Sequence, residues 1–135
     1  MPDRYPPEDP REWLNRANSN LALAKNEIHN EVYLEDLCFN AQQAAEKAIK
    51  AVFVYHQISY PYIHDLAALV TLLIKNGIVV PDTVKESAKL TRFAITTRYP
   101  RILAPVSEQE YWRAMIIAEN VLRWSEHEII SGKSR

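Results

Sequence analysis

The chain has 135 residues and a formal charge of -1, with 16 Lys and Arg against 17 Asp and Glu. That length folds as one domain, and that balance excludes the global basic signature of a general nucleic-acid binder. Two glycines in the whole chain, beside abundant Ala, Leu, Glu and Lys, argue against hairpin-linked sheets and predict an all-α fold.

Residues 1–8 are acidic and proline-rich with no apolar h-region, so they read as a mobile leader rather than a signal peptide. Asp9, Pro10 and Glu12 then supply an N-cap, a first-position proline and a capping-box acid for a first helix. Its stripe is Trp13, Ala17, Leu21, Ala24 and Ile28, lapsing at His29-Asn30.

A long central helix is predicted from about Tyr33 to Tyr55. Ala41, Ala44 or Ala45, Ala48, Val52 and Tyr55 stack along one face, and the small side chains let a neighbouring helix come close. The other face carries Gln43, Glu46, Lys47 and Lys50. Gln43 stands four before Lys47 and Glu46 four before Lys50, the order that favours pairing along a helix. This polar stripe is either a solvated face or a surface that meets a partner or a nucleotide.

Pro61 makes residues 57–63 a connection. Asp65 fits the N-terminus of a third helix with the stripe Leu66, Leu69, Val70 and Leu73, ending at Lys75-Asn76-Gly77. Thr83 and Glu86 suggest a second capping box, opening a fourth helix with Val84, Ala88, Thr91 and Ile95 on one face. A rival reading adds a strand at residues 78–80 or 58–63. Pro100 and Pro105 require the fourth helix to stop near Arg98 or Tyr99.

Ser107 and Glu110 form a third capping box. The last helix carries Tyr111, Ala114, Met115, Ala118, Val121 and Leu122 on one face, while Trp112, Ile116, Ile117 and Trp124 widen the apolar surface. A stripe that broad suggests a homodimer contact as an alternative to simple burial. The expectation is an up-and-down bundle of four to five helices over residues 9–130, with a short tail over residues 131–135. No apolar run, Leu66 to Ile74 included, is long enough to span a bilayer.

Charge is unevenly spread: residues 1–36 hold eight acids and four bases, residues 82–101 five bases and two acids. Lys85, Lys89 and Arg92 are spaced for one helix face, and Arg98 and Arg101 flank the turn that follows. Together they make a candidate phosphate footprint, to be weighed against ordinary solvated charge.

Of four histidines, His29 and His56 stand at helix ends, and His127 lies four after Arg123. His64 precedes Asp65, a carboxylate that could hold its imidazole for acid-base work. The single Cys38 forms no internal disulfide and reads as packing, which suits a reducing cytoplasm. No glycine-rich phosphate loop, zinc spacing or catalytic elbow occurs, so no metal or other cofactor is expected.

Taken together, the block from Cys38 to Ala51 (CFNAQQAAEKAIKA), His64-Asp65-Leu66 and Thr97-Arg98-Tyr99-Pro100 resemble the HEPN domain family, in the family's order and over nearly the whole chain. The resemblance implies a helical bundle that commonly dimerises. It also implies an association with a minimal nucleotidyltransferase, as a toxin-antitoxin-like or accessory pair, and nucleotide binding. Many relatives are metal-independent endoribonucleases using an arginine, four to six residues and a histidine. Here the positions after Arg98 are Leu103, Ala104 and Pro105, and those after Arg92 are Thr97, Arg98 and Tyr99, so that histidine is missing.

The resemblance therefore implies a non-catalytic or weakly catalytic cytoplasmic homodimer that binds a nucleotide, an RNA phosphate or a nucleotidyltransferase partner. Arg98, Tyr99, His64 and Asp65 would line the site, with Gln43, Glu46, Lys47 and Lys50 near it. Two alternatives stay open: a ribonuclease in which His64 serves with Arg98, and a structural adaptor that binds only protein.

Overall fold

A computed structural model describes residues 1–25, 31–96 and 105–133. The expectations placed on Ile28, His29, Arg98, Tyr99 and Arg101 fall outside these residues. The fold is an all-α bundle built from α1 (Pro10–Ala24), α2 (Leu34–Tyr55), α3 (Leu66–Lys75), α4 (Asp82–Lys85), a 3₁₀ segment (Glu86–Leu90), α5 (Thr91–Thr96) and α6 (Glu108–Lys133). Among the described residues there is no strand, so neither residues 58–63 nor 78–80 add one.

The central helix begins and ends where its periodicity places it. Ala41, Ala44, Ala45, Ala48 and Ala51 are all fully buried, and the missing side-chain bulk lets α1 and α6 pack on α2 from two sides. Direct bonds fix this approach: the Ser125 hydroxyl donates to the Ala48 carbonyl at 2.6 Å, and Tyr111 donates to the Ala24 carbonyl at 2.7 Å. Phe53, Ile49, Leu66, Leu69 and Leu73 supply bulk around this seam, each worth about 1.5–3 kcal/mol when fully buried.

Capping departs from expectation at two helices. Asp9 caps α1 by accepting from the Arg11 amide at 2.9 Å, but Glu12 accepts from the Tyr5 amide at 3.0 Å instead of closing the box. The Trp13 indole donates to the Pro7 carbonyl at 2.8 Å and the Asn15 amide to the Asp3 carbonyl at 2.7 Å, so residues 3–7 lie against α1. At α4, Pro81 is the cap residue and no Thr83–Glu86 box forms. Ser107 and Glu110 do bond reciprocally, at 3.1 and 3.4 Å, to open α6.

The predicted fourth helix is three pieces. Val84 is buried as expected, but Ala88 is exposed and Thr91 half-buried; Ser87, Leu90 and Phe93 are buried instead. That spacing of three matches the 3.0 residues per turn of a 3₁₀ coil, not the 3.6 of an α-helix. On α6, Tyr111, Ala114, Met115, Ala118, Val121 and Leu122 are buried as the periodicity predicts, with Ile117; Trp112 and Ile116 are exposed.

Both ends of the hydrophobic middle use the same stop. At α3, the Ile78 amide donates to the Leu73 carbonyl and the Gly77 amide to the Ile74 carbonyl, with Gly77 at φ +85°. At α2, Ile58 and Gln57 make the equivalent bonds to Phe53 and Val54, with Gln57 at φ +57°. Each is a Schellman turn, and at α2 a side-chain-bearing residue occupies the left-handed position where glycine is usual. This turn launches the connection that carries Tyr60, Tyr62 and His64.

Candidate functional site around Glu46 and His64

The orderly stripe on α2 divides between core and rim. Glu46, Lys50 and Gln42 are buried, while Gln43 and Lys47 are half-buried. The stripe is therefore not a solvated face: α1 and the connection after α2 close over it. Glu46 is the hub. Its Oε1 accepts from His64 Nδ1 at 2.8 Å and Gln42 Nε2 at 3.0 Å, and its Oε2 accepts from Lys50 Nζ at 2.9 Å.

A carboxylate in the interior is costly unless paired and hydrogen-bonded. Burial pushes the Glu46 carboxyl upward, but the donors His64, Lys50 and Gln42 outweigh burial and hold it below the usual carboxylate range. Lys50 cancels the Glu46 charge, so the group that fixes the imidazole does not repel an anion. Lys50 Nζ also lies 5.6 Å from the Tyr60 ring centroid, a cation–π distance.

His64 itself is on the surface, with 54% of its side chain exposed. An ionised carboxylate can only accept, so Nδ1 bears the hydrogen; Nε2 then accepts in the neutral ring and donates in the protonated one. Asp65 does not hold this imidazole. It caps α3 by accepting from the Ala68 amide at 3.2 Å, and the orienting carboxylate comes from α2 instead. The Leu66 amide donates to Thr91 Oγ1 at 3.1 Å, which ties the start of α3 to the start of α5.

Gln43 and Lys47 do not pair with each other. Gln43 donates to Gln42 Oε1 at 2.7 Å, while Lys47 turns to α1 and donates to Asn20 Oδ1 at 2.8 Å; Asn20 in turn donates to Asn40 at 3.1 Å. Burial, opposed by the nearby Glu46 charge, lowers the Lys47 pKa. Lys47, Trp13 and Tyr5, with Arg16 paired to Glu12 at 2.7 Å, line an open cavity of about 400 Å³ between α1, α2 and the residues before α1. His64, Glu46, Lys50 and Gln42 thus form one connected cluster, with Lys47 and Gln43 at its edge and Asp65 committed to its helix.

The helix-borne basic footprint does not stand free. Lys85 pairs with Asp82 at 3.6 Å, Lys89 pairs with Glu86, and Arg92 pairs with Glu110 at 2.8 Å. Cys38 is fully buried and burial pushes its thiol up to about 12, so it is no nucleophile at neutral pH. Among the described residues no group of three or more His, Cys, Asp or Glu converges on a metal position, and no helix is long and apolar enough to cross a membrane.

Sequence reasoning missed Gln42 and Tyr60 as neighbours of the site. The signal was present in part: Gln42, Glu46 and Lys50 recur every fourth position through an alanine-rich helix, which stacks them in one row.

Residues 10–128 match the family model of the HEPN domain. The crystal structure of TT1696 from Thermus thermophilus superimposes with a TM-score of 0.74 at 29% identity, covering 88% of this chain and 97% of that one. That of ST0689, an archaeal HEPN homologue, superimposes with a TM-score of 0.70 at 23% identity, covering 90% and 98%, a likeness of fold. No curated protein matches the chain. With a family match over most of its length and a helical bundle like those of its structural neighbours, this chain belongs to the HEPN domain family.

Proposed function

We propose that this chain is a module that binds a nucleotide or an RNA phosphate at the exposed edge of His64. The observation that carries the reading is the 2.8 Å contact between His64 Nδ1 and the buried Glu46 carboxylate. Surface histidines are ordinarily free to rotate; this one is held by a paired carboxylate with 54% of its side chain exposed, which pre-organises the protonated imidazole to donate from Nε2 to a phosphate oxygen. Arg98 is the proposed phosphate fork and Tyr99 the proposed ring partner, on the strength of the Thr97-Arg98-Tyr99-Pro100 motif. A homodimer and a minimal nucleotidyltransferase protein are the proposed assemblies, and the cytoplasm the proposed setting.

The test is a binding titration of labelled single-stranded RNA, AMP and ATP against wild type, His64→Ala and Arg98→Ala. Both substitutions are expected to weaken binding at least about tenfold, the scale of one lost charge-assisted hydrogen bond. Unchanged affinity for every ligand in both variants overturns the reading.

One observation favours a second reading. A carboxylate-held, half-exposed imidazole is, in its neutral form, also a general-base geometry. In that role Nε2 takes the proton of a ribose 2′-hydroxyl, the oxygen attacks the adjacent phosphorus, and the 5′-oxygen leaves, gaining a proton from water. The products would be a 2′,3′-cyclic phosphate and a new 5′-hydroxyl end. Cleavage of single-stranded RNA in the presence of EDTA, abolished in His64→Ala, supports this reading; an inert wild type removes it.

A further inference from the structure

The connection between α2 and α3 is built to hold one ring outward. Ile58, Tyr60 and Ile63 are packed against the core, and the Ile63 amide donates to the Pro61 carbonyl at 2.9 Å, a three-residue turn around Tyr62. Pro61 fixes its own φ. Anchored on both sides, Tyr62 is nonetheless 95% exposed. Its ring centroid lies 6.3 Å from that of Tyr60 at an interplanar angle of 72°, an edge-to-face contact.

Tyr60 is itself braced, edge-on to Trp13 at 6.1 Å and tilted on Phe53 at 5.5 Å, with the Lys50 ammonium over its ring. A chain of rings therefore runs from the rim of the Lys47 cavity, at Trp13, out to Tyr62, two residues before His64. Exposing a whole tyrosine ring on a turn fixed by proline and flanked by half-buried side chains contributes little to folding. A flat partner would use it.

Resting on the reading of His64 as the contact for a phosphate, we propose that Tyr62, supported by Tyr60, is a stacking platform for the unpaired base next to that phosphate. Bases in a duplex are already stacked, so the platform selects single strands, and stacking on an aromatic face tolerates any base. Lys47, whose ammonium is bonded to the neutral Asn20 amide, lies at the other end of the ring chain, where a neighbouring phosphate would pass.

The experiment is fluorescence anisotropy at low salt with three probes: a short single-stranded oligoadenylate, the same backbone with abasic sites, and a duplex. Wild type should bind oligoadenylate more tightly than the abasic strand or the duplex. Tyr62→Ala should lose about tenfold on oligoadenylate, the scale of one base–aromatic stack, and nothing on the abasic strand, while Tyr62→Phe keeps wild-type affinity. Because Tyr62 is exposed, the variants should melt as wild type does.

If Tyr62→Ala binds oligoadenylate like wild type while His64→Ala does not, the platform is wrong and the phosphate contact stands. Equal losses on all three probes would also overturn it, since stacking cannot act on an abasic strand. A wild type with no affinity for any of the three probes overturns both.

Discussion

The carboxylate of Glu46, in the middle of α2, and the imidazole of His64, just before α3, meet at 2.8 Å although 18 positions separate them in sequence. The first is buried and the second is not. A charge that cannot leave the interior thereby sets the orientation of a ring that solvent can reach, and the ion pair with Lys50 makes that charge tolerable.

The Glu46–Lys50 pair should behave as a buried pair. Glu46→Ala is expected to cost roughly 3–5 kcal/mol because it strands the Lys50 ammonium, of which 9% of the side chain is exposed. Replacing both groups, as Glu46→Leu with Lys50→Met, should recover most of that loss. Urea unfolding of the two single variants and the double variant gives the coupling directly.

Acid should weaken the fold through the same group. The folded-state pKa of Glu46 is lowered, so its stabilisation is complete above the unfolded value and is lost as pH falls through the folded one. Unfolding free energy is thus expected to decline on acidification below about pH 4. In Glu46→Gln the decline should be shallower, as followed by denaturant melts across the acid range.

How much of this was legible in the sequence follows from how local each signal is. The central, third and last helices, the Asp65 cap and the Ser107–Glu110 box depend on neighbours within a turn, and they stand where the residues place them. The fourth helix was misread because Val84 and Ala88 fit a spacing of four, whereas the buried side chains follow a spacing of three. Glu46 looked solvated because a polar residue on a helix reads as surface until the covering elements are known. Asp65 was the obvious partner for His64 for the same reason: adjacency is visible in a sequence, and a contact between two elements is not. Arg98 and Tyr99 lie outside the described residues, so their part in the site rests on their motif.

Gln57 offers a test of backbone strain. At φ +57° it occupies the left-handed position of the α2 stop, where its Cβ is unfavourable by roughly 1–2 kcal/mol. Gln57→Gly should remove that cost and raise stability by roughly 0.5–1 kcal/mol after the extra unfolded-state entropy of glycine is subtracted. A higher melting temperature with unchanged circular dichroism is the expected result.

Ser87 is fully buried in the 3₁₀ segment, and its hydroxyl has no hydrogen-bond partner among the described residues. Leaving such a group unpaired costs about 1–3 kcal/mol. Ser87→Ala removes the hydroxyl without adding volume and should stabilise the protein by about 1 kcal/mol, measured as an increase in the urea midpoint.

Trp112 and Ile116 stand one turn apart on α6, 54% and 59% exposed. If that face joins two copies, Trp112→Glu should convert a dimer into a monomer at micromolar concentration, with helicity retained. Sedimentation velocity reads the outcome, and a wild type already monomeric at that concentration removes this face as the contact.

The short coil at Glu86–Leu90 works as a spacer. Three residues per turn rise about 2.0 Å each against about 1.5 Å in an α-helix. Five of them therefore advance the backbone about 10 Å where an α-helix would advance about 7.5 Å. That added reach ends at Thr91, whose hydroxyl meets the Leu66 amide beside His64. Deleting one residue from the coil would shorten the stride and swing Thr91 aside, and the loop bearing the imidazole would lose its anchor without any change to the imidazole itself.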